Sequence, residues 1–168
     1  LTETHIREFG SPRLFHTIGM AERSFGETRR DSLQKKLYAY RKTQQKIREH
    51  YPDAPLLIAS WDLANQWVDE EVRVLLNEFD PERTVLLDYT ADDAAKCNFR
   101  DWNVLGRFPW IFGMLHGYAW NSDIHGDYTL LAERLRTAAE DPMCKGYVLW
   151  SEISHNDTFM LEYLADNA

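Results

Sequence analysis

Four short apolar runs set the strongest limit on what this chain can fold into: residues 56–60, 84–88, 110–115 and 146–150. None alternates polar with apolar residues, so each reads as a strand covered on both faces. Residues 13–18 read as an earlier strand. Between the runs lie stretches of helical periodicity. Across 32–50, Leu33, Leu37, Tyr40, Gln44 and Ile47, with Tyr51 just beyond, recur at steps of four and three, and Pro52 follows as a stop. Across 68–79 the spacing runs through Val68, Val72, Leu75, Leu76 and Phe79, with Asp69, Glu70 and Glu71 in the first turn, where the helix dipole favours acids. Asp127 is placed to cap a helix over 128–140 with Leu131, Leu135 and Ala138 inside, and 157–166 reads as a last helix.

Buried strands alternating with amphipathic helices mean βαβ units and a parallel sheet. The fold expected is α/β: about five parallel strands with intervening helices, some five-eighths of a (β/α)8 TIM barrel, which typically needs ~250 residues. A complete doubly wound sheet of five strands satisfies the same alternation. The 168 residues suffice for one core, and 1–168 is read as a single domain.

Composition narrows the function. Lys and Arg number 19 against 27 Asp and Glu, a net charge of −8 with no basic run, so the electrostatic footprint of a nucleic-acid binder is missing. The longest apolar stretch, 108–115, is far short of the ~20 residues that span a bilayer. No nucleic-acid or membrane partner is expected. Cys97 and Cys144 fit neither a disulfide framework nor a paired metal spacing and read as buried thiols. The chain starts at Leu1 without a signal-like segment, which reads as a cut or trimmed product.

In parallel α/β folds, functional groups sit just past the carboxyl ends of the strands. Those positions hold Glu22; then Trp61, Asp62 and Trp67; then Asp88 and Tyr89, with Asp92, Asp93 and Trp102 following; then His116, Tyr118, Trp120 and Asn121; and last Glu152, His155 and Asn156. Carboxylates mixed with aromatic rings suit a sugar, whose apolar face stacks on rings while its hydroxyls take hydrogen bonds. Hydrolysis of a glycoside needs two carboxyl groups across the scissile bond, and Glu22 and Glu152 are the best pair. Singly, each Glu has a plainer reading as a surface or capping residue, and each Trp as core. Trp110, inside a strand, reads as core. His116, Asp123, His125, Asp127 and His155 match no zinc motif, so no metal is expected and no cofactor is required. The sequon Asn156-Asp157-Thr158 reads as pocket wall rather than a glycan site.

Several segments, in order, resemble the barrel domain of the α-N-acetylglucosaminidases, glycoside hydrolase family 89. Leu14-Phe15-His16-Thr17-Ile18-Gly19-Met20-Ala21-Glu22 resembles the family's strand ending in Asp-x-Phe-Asn-Glu. Tyr51-Pro52-Asp53-Ala54 and the strand up to Trp61 resemble its approach to an active-site Trp, and Leu86-Leu87-Asp88 a Leu-Asp strand end. The most specific match is Pro109-Trp110-Ile111-Phe112-Gly113-Met114-Leu115-His116, similar to Pro-Phe-Ile-Trp-x-Met-Leu-His-Asn-Phe-Gly-Gly-Asn, with Asn121 at the final Asn. Ser151-Glu152-Ile153-Ser154-His155-Asn156 resembles Pro-Glu-Gly-Ile-x-x-Asn, one residue deleted. The chain departs from the family at Ala21, where an Asn precedes the acid/base, and at 117–120, where Gly-Tyr-Ala-Trp stands for Asn-Phe-Gly-Gly.

The resemblance implies a retaining, exo-acting glycosidase of a terminal α-linked hexosamine or related sugar. It gives Glu22 the acid/base role and Glu152 the nucleophile role, and a sugar subsite shaped by Trp61, His116, Tyr118, Trp120, Asn121 and Asn156. It further implies that the segment is a central to C-terminal part of the catalytic barrel, whose partners are the remaining barrel and flanking domains, in a secreted or lysosomal-type enzyme. A non-catalytic sugar-binding or degenerate barrel is the rival reading, and a metal-dependent hydrolase built on the His and Asp residues of 116–127 a third.

Overall fold

The structure is a computed structural model and describes residues 2–12, 14–17, 25–64, 67–115, 126–150 and 158–167. Helix α1 (Thr2–Phe9) leads to β1 (Phe15–Thr17), α2 (Arg29–His50), β2 (Leu56–Ala59) and the short α3 (Trp61–Ala64). Next come α4 (Asp69–Leu76), a 3₁₀ turn (Pro81–Arg83), β3 (Thr84–Asp88), the short α5 (Asn98–Asp101) and β4 (Trp110–Leu115). The last elements are α6 (Tyr128–Glu140), β5 (Cys144–Trp150) and α7 (Thr158–Asn167).

The strands form one sheet in chain order, β1-β2-β3-β4-β5, and every neighbouring pair is parallel. That order separates the two folds left open by alternation. A doubly wound sheet reverses its strand order at a switch point, whereas a barrel adds each strand beside the last. The chain is five consecutive strands of a barrel.

Local chemistry explains the helix ends. Thr28 accepts a hydrogen bond from the Asp31 amide at 3.1 Å, so α2 starts at Arg29, ahead of the predicted residue 32. Leu37, Tyr40 and Ile47 are buried as their spacing predicts. Lys36 is buried too: its ammonium lies 4.8 Å from the centre of the Trp67 ring, and burial pushes its pKa down. Val68 stays outside α4. Its amide donates to Glu71 Oε2 at 3.3 Å, and its side chain is exposed rather than inside as predicted. Asp127 caps α6 by accepting from the Leu130 amide at 2.9 Å, as expected. Cys97 and Cys144 are free thiols, half-buried rather than buried.

The sheet has two unequal faces. Leu56, Ile58, Leu86, Trp110, Phe112 and Met114 point to the helices and join the main core with Leu37, Val72, Leu75, Phe99, Leu131 and Leu164. Each full burial of such a side chain is worth about 1.5–3 kcal/mol. The opposite face is the barrel interior. Leu57, Ala59 and Leu87 are buried there, with Val85, Tyr89, Ile111 and Val148 half-buried against them. At β5 the pairing slips by one residue, from Trp110↔Cys144 to Phe112↔Tyr147. Gly146, at φ +133°, supplies the bulge, and the slip turns Val148 inward.

Candidate active site at the carboxyl ends of the strands

All five strands run the same way, so the segments that follow them leave from one end of the sheet. Among the described residues, a hydrogen-bonded cluster at that end is built around Asp88, the last residue of β3. Strand alternation puts Asp88 on the helix-facing side with Leu86, where it is only 4% exposed. Its carboxylate accepts from Ser60 Oγ at 3.2 Å, Asn98 Nδ2 at 2.9 Å, the Thr90 amide at 3.3 Å and the Phe99 amide at 3.2 Å. Burial pushes the Asp88 pKa up, and these hydrogen bonds pull against it without reversing the shift. Ser60 Oγ in turn accepts from the Tyr89 amide at 2.7 Å.

The clamp orders the loop that follows. Asp92 Oδ1 accepts from the Leu115 amide at 3.1 Å, and the Ala91 amide donates to the Gly113 carbonyl at 2.8 Å, which ties the loop to the end of β4. Arg134 of α6, itself buried, donates to the carbonyls of Ala91 at 2.6 Å and Asp93 at 2.8 Å. These bonds hold Leu115, the residue before His116, from its backbone.

Of the residues expected to form the site, Trp61 lies within the described part. It opens α3, half-buried, with its ring 6.1 Å from that of Tyr89. Tyr89 meets Trp150, the last residue of β5, at 5.1 Å. The sequence reading puts Tyr89 on the rim without a role in the sugar subsite and reads Trp150 only as part of a strand. The signal was there: Tyr89 shares the inward parity of Leu87, and Trp150 that of Val148. Glu22, His116, Tyr118, Trp120, Asn121, Glu152 and Asn156 lie outside the described residues, as do Asp123, His125 and His155.

Other residues that follow strands in the sequence turn away from the mouth. Trp67 is buried, edge-on to Tyr40 at 6.2 Å. Trp102 is buried and donates from Nε1 to Asp69 Oδ1 at 2.8 Å. Asp62 is fully buried and adds to the rise that burial imposes on the Tyr40 pKa. Trp110 is core, as predicted, stacked on Phe99 at 5.0 Å. Asp127 is engaged as the α6 cap.

Comparison with known proteins agrees with this architecture. The family model described as the alpha-N-acetylglucosaminidase (NAGLU) tim-barrel domain matches residues 2–168. No curated protein matches the chain. A family 89 glycoside hydrolase from Clostridium perfringens, solved in complex with 2-acetamido-1,2-dideoxynojirmycin, is similar with a TM-score of 0.61 at 21% identity, over 79% of this chain and 14% of that one. The family 89 structure from the same organism in complex with PUGNAc gives 0.59 at 21% identity, over 77% and 14%. A variant of the Clostridium perfringens enzyme with two glutamate-to-glutamine substitutions, in complex with its substrate GlcNAc-alpha-1,4-galactose, gives 0.55 at 21% identity, again over 77% and 14%. At that identity the likeness shows the fold, and the chain spans about one-seventh of the length of those structures. The matched family domain, the parallel strand order and the shared barrel geometry agree: this chain belongs to the alpha-N-acetylglucosaminidase family, as part of its TIM-barrel domain.

Proposed function

We propose that the protein of which 1–168 is a single-domain segment is a retaining, exo-acting glycoside hydrolase of the α-N-acetylglucosaminidase type, acting on a terminal α-linked hexosamine or related sugar. Glu22 protonates the departing glycosidic oxygen and later takes a proton from water. Glu152 attacks the anomeric carbon and forms the glycosyl-enzyme intermediate. A retaining pair works with its carboxyl groups ~5–5.5 Å apart. Trp61, His116, Tyr118, Trp120, Asn121 and Asn156 shape the sugar subsite, and the remaining barrel strands and flanking domains complete the enzyme.

One observation carries the reading. β1 and β5 are parallel members of one sheet, Glu22 follows β1 by five residues and Glu152 follows β5 by two, so the segments that carry them leave the sheet from the same end. The substrate-bound Clostridium perfringens variant, in which two glutamates are replaced, supports a two-glutamate mechanism for its relatives. In the full-length protein, Glu22→Gln and Glu152→Gln should each lower turnover of an aryl α-N-acetylglucosaminide by ~10³-fold or more, within the span that such machinery supplies. Wild-type turnover in either variant removes its assigned role.

A sugar-binding barrel without turnover is the second reading, favoured by Ala21 where the family carries Asn before the acid/base. Calorimetric binding of N-acetylglucosamine with no hydrolysis across a panel of aryl glycosides would select it.

A further inference from the structure

We infer that Tyr89 and Trp150 are sugar-stacking residues that, together with Trp61, form one aromatic floor across the mouth of the barrel and take the apolar face of a pyranose. The inference rests on the carbohydrate reading above and deepens it by adding two residues to the binding surface.

The three rings come from three strand ends, β2, β3 and β5, and they touch in series. Trp61 and Tyr89 are 6.1 Å apart with planes at 47°, and Tyr89 and Trp150 are 5.1 Å apart at 31°. The row is therefore continuous and curved. It is also unlike the core aromatics of the same chain. Trp110 and Phe112 lie on the helix-facing side of the sheet, whereas Tyr89 and Trp150 share the inward parity of Leu87 and Val148. Aromatic rings that face the interior at the functional end of a barrel offer the flat apolar surface on which a pyranose stacks.

β4 lies between Tyr89 and Trp150, and its side chains would separate them. On the inner face of β4, Leu115 pairs with Trp150 and Gly113 with Val148, and the glycine puts no side chain between β3 and β5 at that level. A Cβ there would collide with the Asp88 carbonyl and press on Leu87 Cδ1 at 3.0 Å, so the site is built around this glycine. Tyr89 is fixed through its amide by Ser60, which Asp88 holds. A platform anchored by its backbone loses little freedom when a ligand lands on it.

The test uses the full-length protein. Tyr89→Ala and Trp150→Ala are compared with wild type in hydrolysis of an aryl α-N-acetylglucosaminide, with Tyr89→Phe and Trp150→Phe as ring-preserving controls. Stacking on a ring predicts a rise in KM of about three- to tenfold for the alanine variants. The effect on kcat should be smaller, and the Phe variants should stay near wild type. N-acetylglucosamine should perturb tryptophan fluorescence, and Trp150→Phe should reduce that signal. Wild-type KM in correctly folded alanine variants would overturn the inference while leaving the hydrolase reading intact. If the alanine variants fail to fold, absence of any sugar-induced fluorescence change in wild type overturns it. If wild type shows no turnover but binds the sugar, and the alanine variants weaken that binding, the hydrolase reading falls and the aromatic floor stands.

Discussion

Two aspartates tie loops to strands at opposite ends of this sheet, and they do so in different electrostatic settings. Asp141, at the amino-terminal end, accepts from Trp110 Nε1 at 2.9 Å, the Gly106 amide at 3.1 Å and the Met143 amide at 3.0 Å, joining the starts of β4 and β5. Burial would raise its pKa, but these bonds and Lys145 outweigh it and hold the carboxyl below the ordinary aspartate range. Asp88, at the carboxyl-terminal end, has four donors and a pKa that burial still pushes up. The first clamp favours its ionised form at little cost. The second keeps a carboxylate in the protein interior, and what it gains is the placement of Tyr89, the 89–101 loop and the end of β4. In a barrel the amino-terminal face serves stability and the carboxyl-terminal face serves chemistry. The contrast between Asp141 and Asp88 is that division at the level of single side chains.

The largest effect expected is at Asp88. Asp88→Ala strands the Asn98 amide, the Ser60 hydroxyl and two backbone amides in a buried place, and should cost about 2–4 kcal/mol in urea unfolding. It should also lower kcat/KM in the full-length protein, because Tyr89 and Leu115 lose their anchors. Asp141→Ala comes next. It should cost about 1–2 kcal/mol and leave kcat/KM near wild type. A loss of activity there as great as at Asp88 would erase the distinction between the two ends.

The pH dependence sharpens the same contrast with a smaller signal. The folded pKa of Asp141 is depressed, so its contribution is present above the ordinary aspartate pKa of ~3.9 and is lost as pH falls through the depressed value. The folded pKa of Asp88 is raised, so its contribution is full below ~3.9 and is lost as pH rises through the raised value. Stability curves of wild type measured against Asp141→Asn and against Asp88→Asn should therefore slope in opposite directions. Slopes of the same sign would show that one clamp has been read wrongly.

Much of this was legible in the sequence, for reasons that mark where legibility ends. Thr84–Asp88 and Trp110–Leu115 emerge with the expected limits because unbroken apolar runs leave few alternatives. Tyr128–Glu140 does so because Asp127 fixes its start. Barrel and doubly wound sheet could not be separated, since alternation carries no strand order; only the pairing does. Trp67 and Trp102 were grouped with the mouth because they follow strands in the chain. The short helices α3 and α5 intervene, and both rings are buried, Trp67 against Tyr40 and Trp102 bonded to Asp69. Lys36 gave no sign of burial because its partner, the Trp67 face, is remote in sequence. Asp88 and Tyr89 are adjacent in the chain, yet parity sends one to the helices and the other to the barrel interior.

A trapped intermediate tests most directly the nucleophile role proposed for Glu152. Full-length protein treated with a slow fluorinated α-glycoside, digested and mapped by mass spectrometry should carry one sugar on the peptide containing Glu152, attached to that side chain. A label on any other residue, or complete turnover without a covalent adduct, would contradict it.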